Sequence, residues 1–262
     1  MLFFLTSLFL GAAAGLSAGL FGIGGGVIIV PMLVWLLPTQ GISEDVVMIM
    51  AVATSLATII FTASSSLFAH HQRGYVLWER VRYLSFGIVF GVMFGALTAS
   101  HISSEHLQIA FGIFLIFNAL QMFFQVLAET EEAEKEEPLL DYMIGMAIGF
   151  VSAISGTGGG TLTVPYLVHR RVKIKNAVAI SSACSLPIAF GASLSYAFLG
   201  LQHSGLPEAS LGYIYLPAFL GITACSIFVA PLGAKLAHVL PSEKLKRYFA
   251  LVLFIFAVKM LW

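Results

Sequence analysis

This chain of 262 residues is 59% hydrophobic and only 10% charged, with 13 Lys and Arg balancing 13 Asp and Glu. Soluble domains are nearer one quarter charged. A mean hydropathy of +0.95 therefore excludes a water-soluble globule and predicts an integral membrane protein, while the zero net charge offers no basic surface for nucleic acid.

The apolar stretches, taken in chain order, fall into two similar series. The first stretch, 2–38, is interrupted by glycines and has no basic flank, so it is interpreted as a retained first helix rather than a signal peptide. The second series begins with another interrupted stretch, 139–168. Uninterrupted stretches long enough for a bilayer, which needs about 20 residues, cover 46–69, 82–100, 105–127, 176–199, 212–238 and 244–262. The pattern predicts an all-α polytopic membrane protein.

The two series share sequence motifs as well as hydropathy. The segment GLSAGLFGIGGGVIIVP starts at Gly15, and GFVSAISGTGGGTLTVP starts at Gly149. Further on, AVATS ends at Ser55 and AVAIS ends at Ser181. A duplicated apolar chain broken by glycines is typical of secondary transporters.

Loops that are rich in Lys and Arg alternate with loops that have neither. The basic loops are 70–82, 169–175 and 241–247, and the neutral loops are 39–45, 101–105 and 200–211. Loops rich in Lys and Arg stay in the cytoplasm. Each loop of the first series differs in charge from the loop at the same place in the second series. The repeats, 1–127 and 139–262, are therefore predicted to be inverted in the membrane. Each repeat is then a glycine-broken helical hairpin followed by three transmembrane helices, joined by an acidic cytoplasmic linker at 128–138. Whether the hairpins re-enter or span fully stays open.

The glycine motifs are the first candidate binding elements. Glycine permits positive φ and close backbone approach, and it disfavours a continuous helix. A half-helix that restarts after each motif would point free N–H groups and its positive dipole end at the break. Two such ends meeting at the membrane centre would hold an anion without Lys or Arg. The alternative is that the glycines only permit close helix packing. The glycines concerned are Gly24, Gly25, Gly26, Gly158, Gly159 and Gly160.

Hydroxyl side chains near the motifs are the second set of candidates. Ser and Thr hydroxyls can donate to the oxygens of an anion, although they also bond to their own helix or join neighbouring helices. The candidate donors are Thr54, Ser55, Thr157 and Ser181.

Ionisable residues are rare within the predicted spans. Arg80 is assigned to the basic loop at 70–82, and Asp141 is placed beside the membrane interface at the start of the second repeat. The sequence contains no HExxH motif and no Cys-x-x-Cys pair, and the histidines fall at span ends or in loops. It therefore predicts neither an enzyme, nor a metal site, nor a cofactor.

The order of motifs resembles that of the TauE/SafE family, also called TSUP transporters, which are sulfite and organosulfonate permeases. The resemblance rests on the glycine motifs ending in Val-Pro, AVATS and AVAIS, the His70-x-x-Arg73-Gly74 segment, and APLGAKLAHVLP at 230–241. It covers almost the whole chain and implies a multi-pass carrier of the inner membrane. Its implied substrates are small sulfur-containing anions such as sulfite, thiosulfate and sulfoacetate. The second copy has Thr157 where the first has Ile23, so an asymmetric site is expected.

The sequence therefore predicts a secondary transporter that works by alternating access on a small anion held between the two breaks. Other hypotheses are a carrier of a carboxylate or a transition-metal ion, a membrane-embedded sulfur-transfer protein using Cys184, and a purely structural membrane partner. Protons are a plausible coupling ion, but the sequence assigns no residue to them. Substrate, direction and oligomeric state stay open.

Overall fold

A computed structural model describes residues 2–22, 24–124, 137–203, 205–236 and 242–262. Most of these residues are helical. The first half contains α1 (Leu2–Phe21), α2 (Gly26–Leu36), a 3-10 turn (Pro38–Gln40), α3 (Glu44–His71), α4 (Trp78–His101) and α5 (Ser104–Phe124). The second half contains α6 (Pro138–Ser155), α7 (Gly160–His169), α8 (Ile174–Gly200), β1 (Ser210–Leu211), β2 (Ile214–Tyr215), α9 (Leu216–Leu236) and α10 (Ser242–Leu261).

The all-α polytopic prediction is confirmed. Seven of the described helices, α1, α3, α4, α5, α6, α8 and α9, are long and apolar enough to cross a membrane. The predicted span at 212–238 is wrong at its start, because Gly212 adopts a positive φ of 55° and turns the chain into the short antiparallel pair β1–β2. Residues 128–136 of the predicted linker lie outside the described residues, and the inverted orientation stays a prediction.

The glycine motifs end one helix and start the next at equivalent positions in the two halves. Gly22 and Gly156 follow α1 and α6 with the same φ of 69°. Gly25 and Gly159 precede α2 and α7 with φ of 81° and 74°. These left-handed conformations are strained for residues with a side chain, so the glycines determine where the helices break.

Two helices form the centre of the bundle. In α3, 89% of the apolar span is buried, and in α8 the share is 72%, against 33–44% for the other five spans. These two helices pack against each other, and each also packs on the short helix of its own half, α2 or α7. Large apolar side chains on the outer helices, such as Phe86, Phe90 and Phe94, are exposed and form a surface suited to lipid.

Two close helix pairs join the halves. The first helix of each half packs along the fourth helix of the other, which gives α1 with α9 and α4 with α6. On α4, three glycines spaced by four residues face backbone carbonyls of Tyr142, Met146 and Phe150 on α6. Small residues at these positions let two backbones approach closely, as in many membrane helix pairs. The two halves are therefore interleaved.

Candidate functional site

The two glycine breaks meet inside the bundle. A Cβ atom added to Gly24 would lie 3.0 Å from the Cα of Gly158, and one added to Gly158 would lie 3.2 Å from the Cα of Gly24. Both glycine stretches are buried against α3 and α8. The structure thus brings together the two glycine motifs that lie 134 residues apart in the sequence.

The short helices begin at these breaks without a side-chain cap. Neither Gly25 nor Gly159, the residue before each helix, has a side chain to cap it. The carbonyl of Gly25 accepts the N–H groups of Ile28 and Ile29 at 3.0 and 3.1 Å. The same pair of bonds is made at Gly159, at 3.0 and 2.8 Å. The first two N–H groups of each short helix have no acceptor within a helix and point their positive dipole end at the break.

Ser55 and Ser181 make reciprocal hydrogen bonds between the halves. The Ser55 hydroxyl donates to the carbonyl of Gly156 at 2.8 Å, and the Ser181 hydroxyl donates to the carbonyl of Gly22 at 3.0 Å. Each serine therefore holds the broken helix end of the opposite half. Their hydroxyl protons are used by these carbonyls, so in this state both residues position the breaks rather than donate to an anion.

Removing either serine hydroxyl is expected to destabilise the protein. In Ser181→Ala, the buried Gly22 carbonyl loses its donor, which should cost about 1–3 kcal/mol of unfolding free energy. Ser195→Ala is the matched control, because the Ser195 hydroxyl donates to Gly191 within its own helix at 2.8 Å. Thermal unfolding of the purified variants measures both changes. A Ser181→Ala protein as stable as the control would remove the positioning role.

The other two predicted hydroxyls lie in different places. Thr54 is fully buried, but its oxygen accepts the N–H of Tyr215 in β2 at 2.9 Å. Successive helix residues point about 100° apart, so Thr54 turns away from the break that Ser55 contacts. Thr157 does lie at the second break, where its hydroxyl pairs with that of Ser155 at 2.9 Å.

The second break carries buried hydroxyls that have no partner. The side chains of Ser152, Thr161 and Thr163 are 0%, 6% and 0% exposed, and their oxygens make no hydrogen bond to the described residues. The Ser152 oxygen lies 3.5 Å from where a Cβ on Gly159 would stand. At the first break, in contrast, the Ser17 hydroxyl donates to its own helix at Ala14. Buried hydroxyls are normally paired with protein, water or ligand, so the second break favours a polar ligand.

A buried charge cluster was missed by the sequence analysis. Asp141 is 0% exposed and Arg80 is 2% exposed, and Arg80 lies in α4 rather than in the predicted loop. An Arg80 nitrogen (Nη1) lies 4.0 Å from Oδ1 of Asp141, and the Tyr166 hydroxyl donates to the same oxygen. The reason for the miss is that α4 begins at Trp78, four residues before the predicted span, which carries Arg80 into the bundle. Charged residues inside a membrane bundle are a signal of function.

A cavity of about 630 Å³ lies between α5 and α7. Tyr166 is in its wall and also contacts Asp141, so this residue separates the cavity from the charge cluster. The other lining residues are Phe117, Gln121, Leu162, Pro165, Val168 and His169.

Comparison with known proteins identifies the family. Residues 7–260 match the family described as "Sulfite exporter TauE/SafE". The chain is 39% identical to a probable membrane transporter protein of Haemophilus influenzae, with 98% of each chain covered. It is 30% identical to a probable membrane transporter protein of Methanocaldococcus jannaschii, with 96% of this chain and 92% of the relative covered. No solved structure matches.

With its seven apolar spans, this is a multi-pass protein of the inner membrane. The chain belongs to the TauE/SafE family of membrane transporters.

Proposed function

We propose that this chain is a secondary transporter, not an enzyme, that moves a small sulfur-containing anion by alternating access. The substrate class is sulfite, thiosulfate or a short organosulfonate. The family description supports a sulfur oxyanion. The observation that carries the proposal is the uncapped start of α7, surrounded by buried hydroxyls that have no partner among the described residues.

The anion is bound mainly at the second break. Its oxygens accept the free N–H groups at Gly160 and Thr161, where the helix dipole adds attraction. The hydroxyls of Ser152 and Thr161 donate as well, which replaces part of the hydration lost on entry. Thr157, Gly158 and Gly159 complete the site on the side of the second break. The first break, Gly24, Gly25 and Gly26, forms the opposite wall. Ser55 and Ser181 hold both breaks in place.

Transport then requires the breaks to separate. The close approach of Gly24 and Gly158 leaves no space for an anion between them, so the described state is contracted around the site. Because α1 packs on α9 and α4 packs on α6 across the halves, a rocking motion of these pairs would open the site to one side. Because the two halves are predicted to be inverted in the membrane, the equivalent motion of the other half would open the site to the opposite side.

Two observations favour this proposal over its rivals. Cys184 is fully buried in α8, whereas a thiol that attacks sulfur compounds needs access and thiolate character. In the part of the chain that the structure describes, no three His, Cys, Asp or Glu residues form a group that could hold a metal ion. A carboxylate anion stays the alternative substrate, because the same donors would bind it.

The substrate class is tested by ligand stabilisation of the purified protein. Sulfite, thiosulfate, sulfoacetate, taurine, sulfate, acetate and nickel are added separately, and the melting temperature is recorded. A ligand that binds only the native state stabilises it by about 2.7 kcal/mol at a hundredfold excess over Kd. Stabilisation by sulfite, thiosulfate or a sulfonate is expected. A response to acetate or nickel alone would contradict the sulfur-anion assignment.

The position of the site is tested by Thr161→Val, which replaces a hydroxyl by a methyl of similar size. Losing a hydrogen bond to a charged ligand, worth about 1.5–3 kcal/mol, should raise the Kd for the stabilising anion roughly tenfold or more. Thr223→Val on α9 is the matched control, because Thr223 is also buried without a partner among the described residues but lies outside both breaks. Both variants should melt normally without ligand. Equal anion affinity in the two variants would place the site elsewhere.

A further inference from the structure

Asp141 is an unusual residue for a membrane helix. Its side chain is fully buried in the first turn of α6. Oδ1 accepts the Tyr166 hydroxyl and lies 4.0 Å from Arg80, whereas Oδ2 has no hydrogen-bond partner among the described residues. A buried carboxylate oxygen without a donor is costly when charged.

Several charged or titratable groups face this carboxylate from the elements around it. Arg80 comes from α4 and Tyr166 from α7, and Cys184 lies in α8, which packs on α6. One helical turn further out, Glu137 pairs with Arg170 at 3.1 Å. Protonation of Asp141 makes the charge of this cluster more positive by one unit.

We infer that Asp141 is the site at which this transporter binds a coupling proton, which rests on the proposed transport of an anion. In the proton-bound state, a new O–H bond on the carboxyl removes the negative charge that faces Arg80. The cluster then attracts the anion, so proton and anion move in the same direction. Release of the proton to water on the other side restores the pair with Arg80.

The structure links this proton site to the anion site through α7. Tyr166 lies six residues after Gly160, which is about 9 Å along the helix. Its hydroxyl bond to Asp141 ties this end of the short helix to α6, while the other end forms the second break. Loosening that bond releases the helix that carries the anion site. Tyr166 also lines the cavity between α5 and α7, so it lies between that cavity and the carboxylate.

The sequence positions equivalent to this cluster carry no charged residues. At the offset of 134 that relates the glycine motifs, Ser7 corresponds to Asp141 and Met32 to Tyr166. At the offset of 138 that relates the Gly74 and Gly212 segments, Ala218 corresponds to Arg80. The Ser7 hydroxyl simply donates to its own helix at Phe3. A packing requirement common to both halves would not need charges in one half alone, so the cluster serves a function that is used once.

The test compares wild-type and Asp141→Asn proteins in sealed proteoliposomes with the membrane potential clamped. Radiolabelled methanesulfonate and thiosulfate are the probes, because their charge does not change over the pH range used. Exchange at equal pH is measured first, and accumulation driven by a pH gradient second. We expect the wild type to exchange the probe and to accumulate it several-fold. Asp141→Asn should keep exchange but lose all accumulation above the equilibrium level.

Each outcome separates the two proposals. A wild type that neither exchanges nor accumulates either probe overturns the proposed function. A wild type that exchanges but ignores the pH gradient overturns the proton site alone, as does an Asp141→Asn protein that still accumulates the probe. If Asp141→Asn loses exchange as well, Asp141→Glu, which keeps a carboxyl group, must restore pH-driven accumulation. Failure of that variant also overturns the proton site.

Discussion

Replacing Arg80 with methionine is expected to lower the unfolding free energy by about 3–5 kcal/mol, the range measured when one partner of a buried ion pair is removed. Arg80 is 2% exposed, and Asp141, whose carboxylate it faces, is fully buried. The variant leaves that carboxylate without its cation in an apolar bundle. Thermal unfolding of the detergent-purified protein measures the loss.

The double variant Arg80→Met with Asp141→Asn identifies the cause. It removes both charges together, and a buried ion pair replaced by neutral groups is often no less stable. We therefore expect the double variant to recover most of the stability that Arg80→Met loses. If the double variant is as unstable as the single one, the loss of stability comes from the missing packing of the Arg80 side chain and not from the unpaired charge of Asp141.

Replacing Gly91 with alanine is expected to cost about 3 kcal/mol, the upper range for overpacking a close interface. A Cβ at this position would fall directly on the backbone carbonyl of Met146 in α6. Because a backbone atom cannot rotate away as a side chain can, α4 and α6 would have to separate. The loss should be visible as a lower melting temperature and a smaller yield of folded protein.

The matched control is Gly191→Ala, which changes a helical glycine on α8 in the same way. Its Cβ would meet only the Val92 side chain, at 3.3 Å. Alanine also improves helix propensity by about 1 kcal/mol, so this variant should be as stable as the wild type or slightly more stable. Equal melting of the two variants would show that the α4–α6 pair has space that the structure does not suggest.

Hydropathy and glycine spacing predicted most of the architecture, for physical reasons that are local. A stretch of about 20 apolar residues must form its hydrogen bonds within itself in a bilayer, so the predicted spans fall on helices, except for the start of 212–238, which belongs to the β1–β2 pair. Gly25 and Gly159 mark the restart of a helix, because only glycine adopts their positive φ without strain. The motifs also identified the family correctly.

The candidate site was only partly predictable, because hydrogen-bond partners depend on neighbours distant in sequence. Ser55 and Ser181 stood out by repetition, yet their partners are carbonyls 101 and 159 residues away. Thr54 is adjacent to Ser55 but faces β2, which no local pattern indicates.

The sequence by itself determined the membrane class, the helical spans, the position of the glycine breaks and the family, since each follows from composition or from the conformational limits of single residues. Only the tertiary structure decided that the two breaks touch, that the unpaired hydroxyls lie at the second break, and that Asp141 and Arg80 are buried together. Those features arise where α4 packs on α6 and where α3 and α8 enclose the breaks. Such contacts depend on which faces of two helices pack together, and a local sequence pattern does not determine this.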